Sequence, residues 1–154
     1  YVLNLIEVDK RKVKDILLPW DKTTTVYCKA RPLEVLDLIK KSGHTRIPVI
    51  EAGVPIGILH AKEFISESEV SRLDWLQLVR PLIFLNHEEP ILAALKTLQS
   101  NRNHMGVVVQ NGAPLGIVTL EDIFEEVVGE IYDEDDNPHV LLSANSRIRT
   151  MTVK

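Results

Sequence analysis

The chain has 154 residues, 18 Lys+Arg against 22 Asp+Glu, a formal net charge of −4 and 45% apolar residues. That balance excludes a disordered chain and argues against a nucleic-acid binder, which presents a basic face. A chain of this length buries roughly 70% of its unfolded surface and needs no staple, and the lone Cys28 excludes an internal disulfide or a CxxC zinc site.

Residues 1–12 are predicted to form a lead-in helix with a basic end, Lys10-Arg11-Lys12. Residue 1 is Tyr rather than Met, so the chain is expected to be a fragment or a processed product. Thr25-Val26-Tyr27 reads as a short strand. Leu33, Leu36 and Ile39 predict a helix over 33–42, and Gly43 suits its C-terminus. Residues 46–59 predict a hairpin with strands 46–50 and 56–59 around Glu51-Ala52-Gly53, followed by a helix from about Ala61. Residues 65–80 read as a linker. It opens on the polar Ser66-Glu67-Ser68-Glu69, and Trp75, Leu76 and Val79 predict a short buried helix.

Leu82-Ile83-Phe84-Leu85 opens a second series, with a helix over 91–100 and strands over 106–110 and 115–118. Asn111-Gly112 between them is the strongest hairpin signal in the chain. It also interrupts the uncharged stretch 103–120, which therefore does not read as a spanning helix. A long helix starts at Leu120, with Ile123, Phe124, Val127, Val128 and Ile131 on one face. The stripe predicts an interface. Residues 132–154 form an acidic tail segment that opens on Asp133-Glu134-Asp135-Asp136.

The two series are copies. Gly53-Val54-Pro55-Ile56-Gly57-Ile58-Leu59 falls on Gly112-Ala113-Pro114-Leu115-Gly116-Ile117-Val118 at an offset of 59 without a gap. At the same offset Pro48-Val49-Ile50 falls on Val107-Val108-Val109, and Leu33, Leu36 and Ile39 fall on Leu92, Leu95 and Leu98. The fold expected is α/β, a tandem of two strand–helix–strand–strand–helix repeats at 13–64 and 81–131.

Two motifs carry a resemblance. His44-Thr45-Arg46-Ile47-Pro48-Val49, and the block from Gly116-Ile117-Val118-Thr119-Leu120-Glu121-Asp122-Ile123 on to Ile131, resemble the tandem cystathionine-β-synthase (CBS) domain pair of the CorC/HlyC and cyclin M-like magnesium and cobalt transporters. The resemblance covers about residues 8–136. It implies two α/β halves around a pseudo-twofold axis, which assemble as a flat homodimer. It also implies a cytosolic regulatory module that follows a transmembrane domain of the same polypeptide, in the inner or plasma membrane, and that binds an adenine nucleotide, ATP or AMP, with or without Mg²⁺. The alternative is a structural dimerisation module that binds no nucleotide. Leu18-Pro19-Trp20 departs from the family pattern, where Thr-Pro-Arg or Thr-Pro-Leu is common, so one hydroxyl that could help hold the nucleotide is absent.

Thr119 stands where strand meets helix, with Asp122 three residues on: a helix cap. The same geometry offers a phosphate-binding helix end, with the Asp122 carboxylate as an acceptor for ribose hydroxyls. Arg46 is the candidate phosphate partner, since a guanidinium holds phosphate oxygens in bidentate fashion. The family position of this motif implies that Arg46, with Thr45 and Pro48 beside it, faces the nucleotide. Ile47 and Ile117 are either adenine walls or core. The first repeat has His60 and Glu63 at the positions of Thr119 and Asp122, so one competent nucleotide site is expected. Residues 119–136 hold nine carboxylates and no Lys or Arg, which reads as a solvated face or as loose Mg²⁺ binding at a dimer interface. An EF-hand starting at Asp133 fails at Pro138 and Ala144. The chain has no GxxxxGK[ST], HExxH or GxSxG motif, so no enzyme activity is expected.

Overall fold

The strand–helix–strand–strand–helix unit occurs twice in the computed structural model, which describes the backbone of residues 10–134 and the side chains of residues 10–129. A two-residue strand β1 (Leu18–Pro19) precedes both units. The first unit is β2 (Val26–Tyr27), α1 (Pro32–Ser42), β3 (Arg46–Glu51), β4 (Val54–His60) and α2 (Ala61–Ile65). The second is β5 (Ile83–Asn86), α3 (Ile91–Ser100), β6 (Met105–Gln110), β7 (Ala113–Thr119) and α4 (Leu120–Glu134). The acidic tail beyond Glu134 and residues 1–9 of the expected lead-in helix lie outside the described residues; of the rest of that helix, Arg11 and Lys12 are not helical.

The duplication holds to the level of single backbone angles. Each hairpin closes on two consecutive left-handed residues, Ala52 and Gly53 at φ 49° and 77°, Asn111 and Gly112 at φ 51° and 78°. Such a pair is the twist-matched two-residue turn, and Asn-Gly adopts it with least strain. Each hairpin carries a register shift at matching places, between Val49 and Ile50 and between Val108 and Val109. The first strand of each unit runs parallel to the second, β2 to β3 and β5 to β6, with a helix as the crossover.

The sheets are completed by exchange. The segment that leads into the first unit packs on the second: Leu18 pairs with Ile117 and Pro19 with Gly116 in an antiparallel register, giving the order β1-β7-β6-β5. Val13 is fully buried in the second unit's core, and its N–H donates to the Glu89 carbonyl at 2.9 Å. The linker does the reverse. Arg80 and Ile58 exchange both backbone hydrogen bonds at 2.9 Å, so the residue that leads toward the second unit closes the first unit's sheet, β2-β3-β4. This explains the second glycine of the repeated heptad. A Cβ on Gly116 would stand 2.1 Å from the Leu18 carbonyl oxygen, and one on Gly57 would stand 2.2 Å from Val79 Cγ1 and 2.9 Å from the Arg80 carbonyl oxygen.

Among the described residues, three apolar clusters hold the fold together. The first unit buries Val35, Ile39, Ile47, Val49, Leu59 and Phe64 with Trp75 of the linker, whose Nε1–H donates to the Ala30 carbonyl at 2.8 Å. The second buries Leu85, Ile91, Ala94, Leu98, Val108, Val118 and Ile123. Between the units lies a seam of Ile58, Met105, Val107 and Ile117.

Several expectations need correction. On α1 the buried pair is Val35 and Ile39, and Leu33 is 60% exposed. Successive steps of three residues drift by about 60° around a helix, so 33, 36 and 39 do not stay on one face. The linker helix over Trp75–Leu78 is a 3₁₀ turn that buries Trp75 and exposes Leu76. On α4, Ile123 is fully buried and Val127 packs on the second core, while Phe124 is 61% exposed. The apolar residues of α4 thus serve two faces rather than one; the Ile131 side chain lies outside the described residues.

Candidate functional site

β7 delivers Thr119 to the start of α4, and the cap expected from sequence is formed. The Thr119 N–H donates to Asp122 Oδ2 at 3.0 Å, and the Asp122 N–H donates to Thr119 Oγ1 at 3.1 Å. Both donors would otherwise be orphaned at a helix end. The arrangement leaves Asp122 Oδ1 and the Thr119 hydroxyl hydrogen for a ligand, on two half-buried side chains.

Strand alternation decides which other residues share this place. Ile117 and Thr119 are two apart and lie on the same face of β7. Ile117 is in the seam, so that face is the seam side. Thr119 pairs directly with Met105, also a seam residue. In the first unit the matching residues are Ile58 in the seam, His60 two positions on, and Arg46 directly opposite His60. Direct cross-strand partners share a face. Arg46, His60, Met105 and Thr119 therefore belong to the seam-facing sides of the two sheets. Ile47 is one residue from Arg46 and points the other way; it is fully buried in the first unit's core. Pro48 is buried, and Thr45 is exposed, its carbonyl accepting the Ala61 N–H at 2.8 Å. The structure thus brings Thr119, Asp122 and Ile117 together, sets Arg46 on the opposing sheet, and assigns Ile47 to the core.

The first unit's version of the site differs. No side chain caps α2, and Glu63, at the position of Asp122, pairs with Arg80 instead. His60 Nδ1 is buried without a partner. Burial holds the His60 imidazole below its ordinary protonation range, and Arg46, Arg80, Lys62 and His104 push it further down. Composition and periodicity gave no sign of this basic surround: Arg46 reaches His60 across the β3–β4 hairpin, Arg80 through the linker and His104 from the second unit. Among the described residues no group of three or more His, Cys, Asp or Glu could hold a metal ion, and no helix is long and apolar enough to cross a membrane.

Comparison with known proteins agrees with this geometry. The CBS domain family model matches residues 13–69 and again 74–129. The chain is 34% identical over 142 residues to the magnesium and cobalt efflux protein CorC of Pasteurella multocida, covering 89% of this chain and 47% of that protein. It is 35% identical over 143 residues to the UPF0053 protein YhdP of Bacillus subtilis, covering 88% of this chain and 32% of that protein. The chain thus spans between about a third and a half of the length of these curated relatives. Among solved structures it is similar to the CBS domain of a bacterial CNNM/CorC family Mg²⁺ transporter in complex with ATP (TM-score 0.77, 26% identity, 83% of this chain and 94% of that one). It is also similar to a CBS-domain pair with bound AMP from Klebsiella pneumoniae (TM-score 0.69, 26% identity, 78% of this chain and 100% of that one). Duplication, exchanged lead-ins and a capped seam-end helix in one α/β chain have this explanation: the chain belongs to the CBS domain family, as a tandem pair of the kind carried by CorC/CNNM magnesium transporters.

Proposed function

We propose that this CBS pair is a cytoplasmic regulatory module of a magnesium or cobalt transporter, that it binds one adenine nucleotide at the Thr119 end of the seam, and that it has no catalytic activity. The observation that carries the reading is the reciprocal Thr119–Asp122 cap on the seam side of β7. The ATP and AMP complexes of structurally similar CBS domains support it. In this reading Asp122 Oδ1 accepts the ribose hydroxyls and the Thr119 hydroxyl donates to a phosphate oxygen. Arg46, with Thr45 beside it, meets the phosphates from the opposing sheet. Ile117 and Met105 form the apolar wall for adenine, with Pro48 on the same seam-facing side as Arg46, and Ile47 holds the Arg46 strand rigid from behind. Mg²⁺ accompanies the phosphates. The module acts as a homodimer on a membrane domain of the same polypeptide, and a ligand biases that domain only by its differential affinity for two conformations.

Calorimetric titration and thermal melts with ATP, ADP and AMP, with and without Mg²⁺, test the reading. Nucleotide at one hundred times Kd should stabilise the fold by about 2.7 kcal/mol. No shift with any adenine nucleotide at millimolar concentration refutes it. A dimer that persists in that case would be the structural module, the role that the already satisfied Asp122 cap would then serve alone.

A further inference from the structure

Residues 11–19 lie ahead of the first unit yet are fastened along the second. At one end the Arg11 guanidinium pairs with Glu126 on α4, and the Arg11 carbonyl accepts the Ile91 N–H at 3.0 Å. Lys12 and Lys14 both pair with the Glu88 carboxylate. Val13 is wholly buried in one cluster with Ile91 and Ile123, and its N–H donates to the Glu89 carbonyl at 2.9 Å. At the other end Leu18 and Pro19 pair with Ile117 and Gly116 of β7. These two ends bracket the Thr119 site. Ile117 lies two residues before Thr119, and Leu18, its direct cross-strand partner, shares its seam-facing side. Glu126 lies four residues after Asp122, one turn on along the same face of α4. The segment is held lightly: β1 is two residues long, and the ion pairs are partly exposed and contribute little. Val13 is its one deep anchor, so it can lift off as a local opening that leaves both units folded.

We propose that residues 11–19 are a strap whose docking and nucleotide binding at Thr119 reinforce each other, so that the segment entering the pair carries the occupancy of the site outward. The inference rests on the nucleotide reading of Thr119. Lifting the strap changes the site in two ways. It uncovers the Ile117 edge of β7, and it removes the guanidinium that offsets Glu126. A bare carboxylate one turn from Asp122 then repels an incoming phosphate. Nucleotide therefore binds the docked form better, and by linkage each tightens the other by the same factor. An occupied pair grips its lead-in, and a pull on the lead-in expels the nucleotide.

Amide hydrogen exchange on the 154-residue chain, with and without ATP, reads the coupling. The Val13 and Ile91 amides, whose bonds span strap and body, report its release. The Cys28 amide, bonded to the Ile50 carbonyl at 2.9 Å in the first unit, is the control. Glu126→Gln should speed exchange at Val13 and Ile91 and leave Cys28 unchanged, which identifies strap release as the route. ATP at one hundred times Kd should then slow the two strap amides of the parent about 100-fold, the limit for a ligand that binds only the docked form. The slowing by ATP should shrink in Glu126→Gln, while the slowing by adenosine, which carries no phosphate, should be the same in both proteins. Val13→Asp puts a charge in the core and holds the strap off in most chains. Its ATP affinity should fall roughly tenfold or more, in proportion to the docked fraction, with the Cys28 amide still protected. Unchanged exchange at Val13 and Ile91 in the parent, with ATP binding verified by calorimetry, overturns the strap and leaves the nucleotide site intact. Parent-like ATP affinity in a folded Val13→Asp protein does the same. Absence of ATP binding in calorimetry overturns the nucleotide reading and the strap with it.

Discussion

Replacing Gly116 by Ala places a methyl group 2.1 Å from the Leu18 carbonyl oxygen, 2.8 Å from Leu17 Cδ1 and 3.0 Å from the Leu18 carbonyl carbon. Two of the three neighbours are backbone atoms, so no rotamer change relieves the clash. The lead-in strand must move away by more than an ångström, which breaks its pairing with β7. Overpacking typically costs about 1–3 kcal/mol, and each hydrogen bond lost adds about 1 kcal/mol. The expected destabilisation is therefore about 2–4 kcal/mol, read as a lower urea midpoint. Gly57→Ala is the internal control: its worst contact is the Val79 Cγ1 tip, and the nearest backbone atom is 2.9 Å away. That variant should lose about half as much. Hydrogen exchange locates the damage. In Gly116→Ala the Val13 and Ile91 amides, bonded to Glu89 and Arg11 carbonyls at 2.9 and 3.0 Å, should exchange faster, while β3–β4 amides keep their protection. A Gly116→Ala protein as stable as the parent, or more stable than Gly57→Ala, would refute the exchange of lead-in strands.

Four further outcomes are expected. Thr119→Ala should cost about 1 kcal/mol of stability through loss of the cap and weaken nucleotide binding, with Asp122→Ala acting in the same direction. Glu63→Ala should leave nucleotide affinity unchanged, and the reverse result in calorimetry would put the site in the other repeat. Lys12 and Lys14 hold the Glu88 carboxyl down to about 2, from 4.5. A depressed carboxylate contributes stability above its unfolded value and loses it as pH falls, so melts of Glu88→Gln and parent should diverge above pH 4.5 and converge towards pH 2; parallel curves would show that the pair contributes nothing. Sedimentation over a dilution series should find a homodimer that Mg²⁺ or Mg²⁺-nucleotide tightens, and Phe124→Glu should shift it to monomer; a parent that is monomeric at all concentrations refutes the interface.

What could be read from the sequence was whatever repeats or is local. The offset of 59 carried the duplication, Asn111-Gly112 carried its hairpin, and Thr119 with Asp122 three residues on carried the cap, because each signal lies within a few residues or is copied outright. Leu33 misleads because steps of three drift off a helix face. Ile47 stayed ambiguous until the strand register showed that it and Arg46 face opposite ways. The partner of Gly116 is beyond reach of a local reading, since Leu18 lies in the segment before the first repeat and two-residue strands leave no periodic trace. The glycine itself was the one available clue: it sits mid-strand at a position where no turn needs it, which points to a close backbone approach.

The crossed lead-ins bear on how such a pair could arise and be taken apart. A chain with one unit and its own leading segment could not close its sheet with that segment if the present geometry held; it would borrow the segment of a second molecule. Gene duplication then turns a swapped dimer into a single polypeptide without redesigning either sheet. Cutting the chain between Ser66 and Glu69 would run this backwards. Each fragment would carry the strand that the other one lacks, and neither should be cooperative alone, yet mixing them should restore one melting transition.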